Sequence, residues 1–478
     1  MIFNETNTKR VIVASALASV LALVGCSTDD NILPTNAQLR VIHTSPDAPP
    51  VNVKVDGATA VSDLDYAESS GYLNVTAGSK DIAVEAIIPG GNADVINVAD
   101  FQLDDNGRYT VLAVNNTATI DALVANESAS VPGADEVAIA VVHASPAANT
   151  VDVYVTAPGV STTAVEPNFS LDYKGQIDVG VLPVGSYQIQ ITGTGTKGAV
   201  YDSGVVDLSP FGGQKLMLIA VSTTNDISQR TSPVKLLVAT DNSELILLDV
   251  KTNAGARVVH ASPDAGTAAG GAVEVFATSS ALTTSPVELI PSFSYTEVVP
   301  GSDSFEGVPA GDYIFDVAPD GAGIGGSVYT SPSVLLNQGS EYTVIAAGYV
   351  LTTPAFGLLL TEDENRSIVT QASVKVVHAA PLAGTVDVFV TAAGQFSVAD
   401  VAGGLAGTPL LDDFMYADIT DYVAVAPGNY DIRVVASGTV AINVENANLA
   451  AGSVSTVIAR EPIDSGTPDD FNVILLSN

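Results

Sequence analysis

Four histidines are all this chain contains, and each closes the same short motif. The first copy reads Arg40-Val41-Ile42-His43-Thr44-Ser45-Pro46-Asp47; the others run from Ala140 to Ala147, Arg257 to Asp264 and Lys375 to Leu382. The histidines stand 100, 117 and 118 residues apart, too far for a solenoid, whose repeats span roughly 20–50 residues. A period this long describes an array of domains, each enclosing its own core by burial.

Every copy continues in the same order. The Ser-Pro or Ala-Pro step at Pro46, Pro146, Pro263 and Pro381 bars helix and turns the chain. Alternating segments follow, at Val51 to Val55, Val151 to Val155, Val273 to Phe276 and Val386 to Val390. Period two with valine and an aromatic is a strand with one face buried. Each copy then places a tyrosine (Tyr66, Tyr173, Tyr295, Tyr416), a glycine turn (Gly78, Gly185, Gly311, Gly428) and a second glycine turn (Gly107, Gly213, Gly339, Gly452). In three copies a further tyrosine sits two residues after the first glycine: Tyr187, Tyr313 and Tyr430, with Lys80 in the first copy.

No segment shows a 3.6-residue apolar period, and turn signals recur every 8–12 residues, as in a β-sandwich or barrel. The expected fold is therefore all-β: four tandem antiparallel sandwiches, immunoglobulin-like in the loose sense, over residues 38–126, 137–250, 254–367 and 372–478. The cysteine and tryptophan hallmark of true immunoglobulin domains is impossible with one cysteine and no tryptophan. Short joints predict a semi-rigid rod. Extra small-residue stretches, Gly266 to Ala272 and Ala399 to Thr408, read as hairpin insertions.

Residues 1–25 stand apart. Lys9 and Arg10 precede an uncharged apolar run from Val11 to Val24, too short for a comfortable membrane span and suited to a signal-peptide core. It ends Leu23-Val24-Gly25-Cys26, which resembles the bacterial lipobox and implies cleavage before Cys26 and lipidation of that residue. Cys26 is the single cysteine, so no disulfide within the chain is possible. Residues 26–37 read as a lipidated tether. By resemblance to lipoprotein sorting, Ser27 after the cysteine favours the outer membrane.

A net charge of −36 argues against nucleic acid and against anionic membrane surfaces as direct ligands. Its plainest use is solubility. A sharper one is calcium at the joints, where Asp241, Glu362, Asp363 and Glu364 gather, although no EF-hand loop is present. His43, Ser45 and Asp47 look superficially like a catalytic triad, but an extended segment does not aim the imidazole at that hydroxyl. The copies also lose the set: Ala147 and Leu382 replace the acid, and Ala380 the serine. Only histidine and proline persist, as expected of an imidazole hydrogen-bonding a turn backbone. The repeated tyrosines read as core or sheet-edge residues with the hydroxyl at the surface, rather than a sugar platform.

Taken together, the Val-Val-His-Ala-Ser-Pro-Asp start, the Val151-Asp152-Val153-Tyr154-Val155 strand, the Gly-x-Tyr turn and the Gly-x-x-Tyr-Thr-Val strand resemble the bacterial domain-of-unknown-function family 4397. The resemblance implies a secreted or lipid-anchored protein of tandem β-rich domains and carries over no catalytic residue. The expectation is a non-enzymatic outer-membrane lipoprotein without cofactor, held to the membrane through Cys26. It would act as a spacer and interaction scaffold for an envelope protein or polymer. An adhesin-like polysaccharide-binding module is the second reading and an envelope hydrolase the third; pairing of edge strands between copies leaves self-association open.

Overall fold

The structure, a computed structural model, describes residues 35–224, 232–265, 272–462 and 471–478. Cys26, the apolar run before it and most of the tether lie outside the described residues. In the first repeat the motif's apolar run becomes β1 (Asn36–His43). After it come β2 (Val51–Val55), β3 (Ala58–Leu64), β4 (Leu73–Thr76), β5 (Gly78–Ala86), β6 (Ala93–Leu103), β7 (Arg108–Val114) and β8 (Asp121–Ala125). They form two sheets, ordered β4-β1-β7-β8 and β3-β2-β5-β6. Leu39, Val41 and Val111 of the first sheet meet Val51, Val53, Ile82 and Val84 of the second in one apolar cluster. This is sandwich packing, and the other three repeats keep the plan.

One pairing departs from an antiparallel scheme. β1 runs parallel to β7, placing His43 opposite Ala113. The same parallel register sets His143 opposite Ala220, His260 opposite Ala346 and His378 opposite Ala459. In every repeat the motif strand thus lies beside the strand that follows the second glycine turn. The glycine turns are closed by the tyrosines behind them. The hydroxyls of Tyr187, Tyr313 and Tyr430 donate to the carbonyls of Pro183, Pro309 and Ala426, each four residues upstream, at 2.9, 2.6 and 2.7 Å. That is the tyrosine-corner device of sandwich folds. The stretch from Ala399 to Thr408 is not a hairpin: it contains a short helix, Val398–Ala402, started by a capping box between Ser397 and Asp400. Its counterpart in the third repeat, Gly266 to Ala272, lies outside the described residues except for Ala272.

The repeats pack on one another in pairs. Ile42, Leu112 and Val114 of the first pack against Val142, Ile219, Val221 and Leu237 of the second in a shared cluster. Val259 and Ile345 of the third likewise pack on Val377, Ile458 and Leu476 of the fourth. The histidine-bearing sheet is therefore covered on both faces, and a strand so placed has no polar side. Successive residues of the motif serve the two faces in turn: Val41 faces its own sandwich and Ile42 the neighbouring repeat. The two pairs are tied together as well. Arg366, between the third and fourth repeats, donates to the carbonyl of Ala48 at 2.5 Å and pairs with Asp65 in the first. Its guanidinium also lies 5.7 Å from the Tyr66 ring.

Candidate functional site

The repeated polar residues converge on the seams between paired repeats. Each imidazole is held by its own turn. The backbone N–H of Ser45 donates to His43 Nδ1 at 3.3 Å, and Ser145, Ser262 and Ala380 do the same for their histidines at 3.2–3.4 Å. With Nδ1 accepting, the proton sits on Nε2 and donates to a carbonyl six residues on. Those acceptors are Pro49 at 3.0 Å, Asn149 at 2.9 Å and Gly384 at 2.8 Å. For His260 the corresponding residue, Gly266, lies outside the described residues. Proline at the third position after histidine makes this curl, which is why Pro46, Pro146, Pro263 and Pro381 accompany every copy.

Burial pushes His43 and His260 down to about 4, and His143 and His378 in the same direction, so all four are neutral at pH 7. No triad forms. The Ser145 hydroxyl meets Ser222 Oγ at 2.8 Å and that of Ser262 donates to the Gly348 carbonyl at 2.6 Å. The acids are turn ligands too: Asp47 accepts from the Thr117 N–H and hydroxyl, and Asp264 from the N–H groups of Val350 and Leu351.

Each histidine also meets its repeat's tyrosine edge-on. Ring centroids lie 6.2, 5.9, 6.0 and 6.5 Å apart for His43–Tyr66, His143–Tyr173, His260–Tyr295 and His378–Tyr416. The residue after each tyrosine (Ala67, Lys174, Thr296, Ala417) turns back through a positive φ and donates its N–H to the histidine carbonyl. The tyrosines thereby reach across the seam instead of pointing to solvent. Tyr66 Oη donates to the Ser222 carbonyl at 2.7 Å, and Tyr173 Oη to Asn115 Oδ1 at 2.8 Å. Tyr295 Oη donates to the Glu461 carbonyl at 2.9 Å. In parallel register each acceptor lies two residues beyond the alanine opposite the partner repeat's histidine. Replacing Tyr66 with phenylalanine is expected to cost about 1 kcal/mol, read as a shift in urea or thermal unfolding, because it removes this one bond and little packing.

Arginines close the seams. Arg40, buried, donates to Thr110 Oγ1 at 3.1 Å and across to the Thr240 carbonyl at 2.6 Å, with Tyr72 under its guanidinium at 4.5 Å. Arg108 forks onto both oxygens of Asp241 at 3.2 and 2.5 Å. In the second pair Arg257, Lys375 and Asp363 meet at zero to 5 % exposure, with Thr343 and Tyr422 bonded to the same carboxylate.

Of the four calcium candidates, Asp241 faces Arg108 and Asp363 faces Arg257, while Glu362 and Glu364 are exposed on either side. Among the described residues, the carboxylates close enough to share an ion are those of half-buried Asp387 and exposed Asp412 and Asp413, and none of the four candidates is among them. No tyrosine or phenylalanine among the described residues is fully exposed. Sequence reasoning found the histidines and tyrosines but missed Arg40, Arg257 and Arg366. A basic residue three positions before histidine in copies one, three and four was the available signal.

The model of a family described as a domain of unknown function (DUF4397) matches residues 37–154 and 254–389, just over half of the chain. No curated protein matches the sequence. Among solved structures, the Bacillus anthracis TIE protein aligns at 10 % identity with a TM-score of 0.15, over 86 % of this chain and 65 % of that one. The chain thus spans slightly less than two thirds of that neighbour's length.

Proposed function

Since the chain belongs to the DUF4397 family, which attaches no activity to its members, we propose that it is a non-enzymatic scaffold of the cell envelope. In this reading it is lipid-anchored through Cys26 to the outer membrane, and its paired sandwiches present a rigid, acidic surface to an envelope protein or polymer. One observation carries the reading: the histidines and tyrosines that recur in all four repeats are buried or half-buried at the seams, and the hydrogen bonds they make run within and between the repeats. A repeated catalytic or binding site would leave its chemistry turned outward. Among the described residues no helix is long and apolar enough to cross a membrane, which suits attachment by lipid.

Protease treatment of intact cells, with the protein followed in the outer-membrane fraction, tests the proposal. The wild-type chain is expected in that fraction and the Cys26→Ala chain outside it. A Cys26→Ala protein that still fractionates with the outer membrane would overturn the lipid anchor. Cleavage in intact cells places the repeats outside; protection directs the search for partners to the periplasm.

A further inference from the structure

The fourth sandwich is not filled. Between its sheets lies a cavity of about 520 Å³, against about 50 Å³ at the equivalent place in the second repeat. The register explains the difference. In the first repeat one end of the sandwich is stoppered by Phe101 and Tyr109, whose rings meet edge-on at 5.6 Å. Tyr109 pairs with Leu39 and Phe101 with Lys80. The positions matching Tyr109 are Leu216, Tyr342 and, in the fourth repeat, Ser455, which pairs with Val374. Those matching Phe101 are Val206, Val334 and, in the fourth, Ala447. Only the fourth repeat has a hydroxymethyl and a methyl where the others have larger apolar groups at both sites.

The surrounding residues register the gap. Leu103, Leu208 and Leu336 are buried, while the matching Leu449 is half-buried. The cavity runs from His378 and Phe414 at one end to Asn448, Ser453 and Ser455 at the other. Along the strand from Ser455 to Ala459 that is roughly 13 Å. Valine, leucine and isoleucine make up most of the wall, and no charged side chain is in it. His378 adds no charge at pH 7, because its Nδ1 accepts from the Ala380 N–H and burial holds the imidazole below its ordinary range. The volume lies within the range of roughly 300–1,000 Å³ typical of small-molecule sites.

We infer that the fourth sandwich binds an uncharged aliphatic chain of the acyl-ester class, with its polar end at Asn448 and Ser455. A wall without a cation, in a protein of net charge −36, disfavours a free carboxylate and selects the neutral form. The hydroxyl and amide at the open end supply the few hydrogen bonds that would fix the direction of the chain.

Titration of the full chain with cis-parinaric acid and with its methyl ester, followed by fluorescence, tests the inference. The ester is expected to saturate at one per chain and to bind at least tenfold more tightly than the acid. Ser455→Tyr, which restores the stopper of the first and third repeats, is expected to abolish binding without lowering Tm. Ala447→Leu serves as the second variant should Ser455→Tyr fail to fold. Absence of saturable ester binding, or unchanged binding in a folded stoppered variant, overturns the site. Preference for the acid overturns the neutral-chain assignment.

Discussion

Arg257→Ala is expected to destabilise the pairing of the third and fourth repeats by about 3–5 kcal/mol, the cost of breaking a buried ion pair on one side. The side chain is fully buried. It donates to Thr343 Oγ1 at 3.2 and 3.0 Å, to the Ser302 carbonyl at 3.0 Å and to Asn478 Oδ1 at 2.7 Å, and it lies 3.5 Å from Asp363 Oδ2. Phe305 sits 4.3 Å beneath the guanidinium. Burial lowers Arg257 and Asp363 opposes that shift, so the pair is mutually dependent. Alanine would leave Asp363 with Lys375 Nζ at 3.9 Å as its remaining cation, along with the hydroxyls of Thr343 and Tyr422. Lysine at 257 is expected to recover only part of the loss, because one ammonium cannot reach the Ser302 carbonyl, Thr343 and Asn478 together. Replacing both partners, Arg257→Met with Asp363→Leu, is expected to recover most of it, since the penalty comes from the stranded charge. Urea unfolding of the single and double variants measures this. A single-variant loss under 0.5 kcal/mol would mean that the seam is wet and the pair screened.

The contrast between Arg257 and the motif beside it shows what was legible in the sequence. Alternation at Val51 to Val55 and Val386 to Val390 gave the one-sided strands, and those segments are strands in the structure. The run from Arg40 to His43 held a second signal that the sequence reading did not use. A continuous apolar strand among alternating ones is covered on both faces, and the cover here is another repeat. Which repeat covers which was not readable, because all four carry the same motif and the decision rests on contacts far apart in the chain. Arg366 meets Asp65, and Arg108 meets Asp241, across such distances. For the same reason Asp241 and Asp363 looked like free acids at joints. The cavity was hidden differently. Ser455 and Ala447 are unremarkable in a strand, and only the register against Tyr109 and Phe101 reveals them as missing stoppers.

Lowering the pH from 6.5 to 5 is expected to destabilise the protein before most of its carboxylates titrate appreciably. The four imidazoles are buried neutral, and their folded values lie below the unfolded value of about 6.5. Above that pH both states are neutral, so the contribution is fully present. Between 6.5 and the folded value of about 4 for His43 and His260, the unfolded chain takes up protons that the folded chain refuses. Stability therefore falls with pH, by up to ~1.4 kcal/mol per unit for each histidine, reaching ~3 kcal/mol at each of these two sites. Below about 4 both states are protonated and the histidine loss stops growing. Relief of the −36 net charge acts in the opposite direction, but it requires protonation of carboxylates near pH 4. Burial also raises Glu127 and Glu244, so the histidine share of the slope is read from the His43 variants. His43→Gln, whose amide can both donate toward Pro49 and accept from Ser45, is expected to reduce the slope of Tm against pH there. At pH 7.5 its Tm should stay closer to wild type than that of His43→Ala, which loses both bonds. A wild-type Tm flat from pH 7.5 to 5 would mean that the imidazoles gain protons in the folded state, and that the neutral Nε2–H geometry at the seams is wrong.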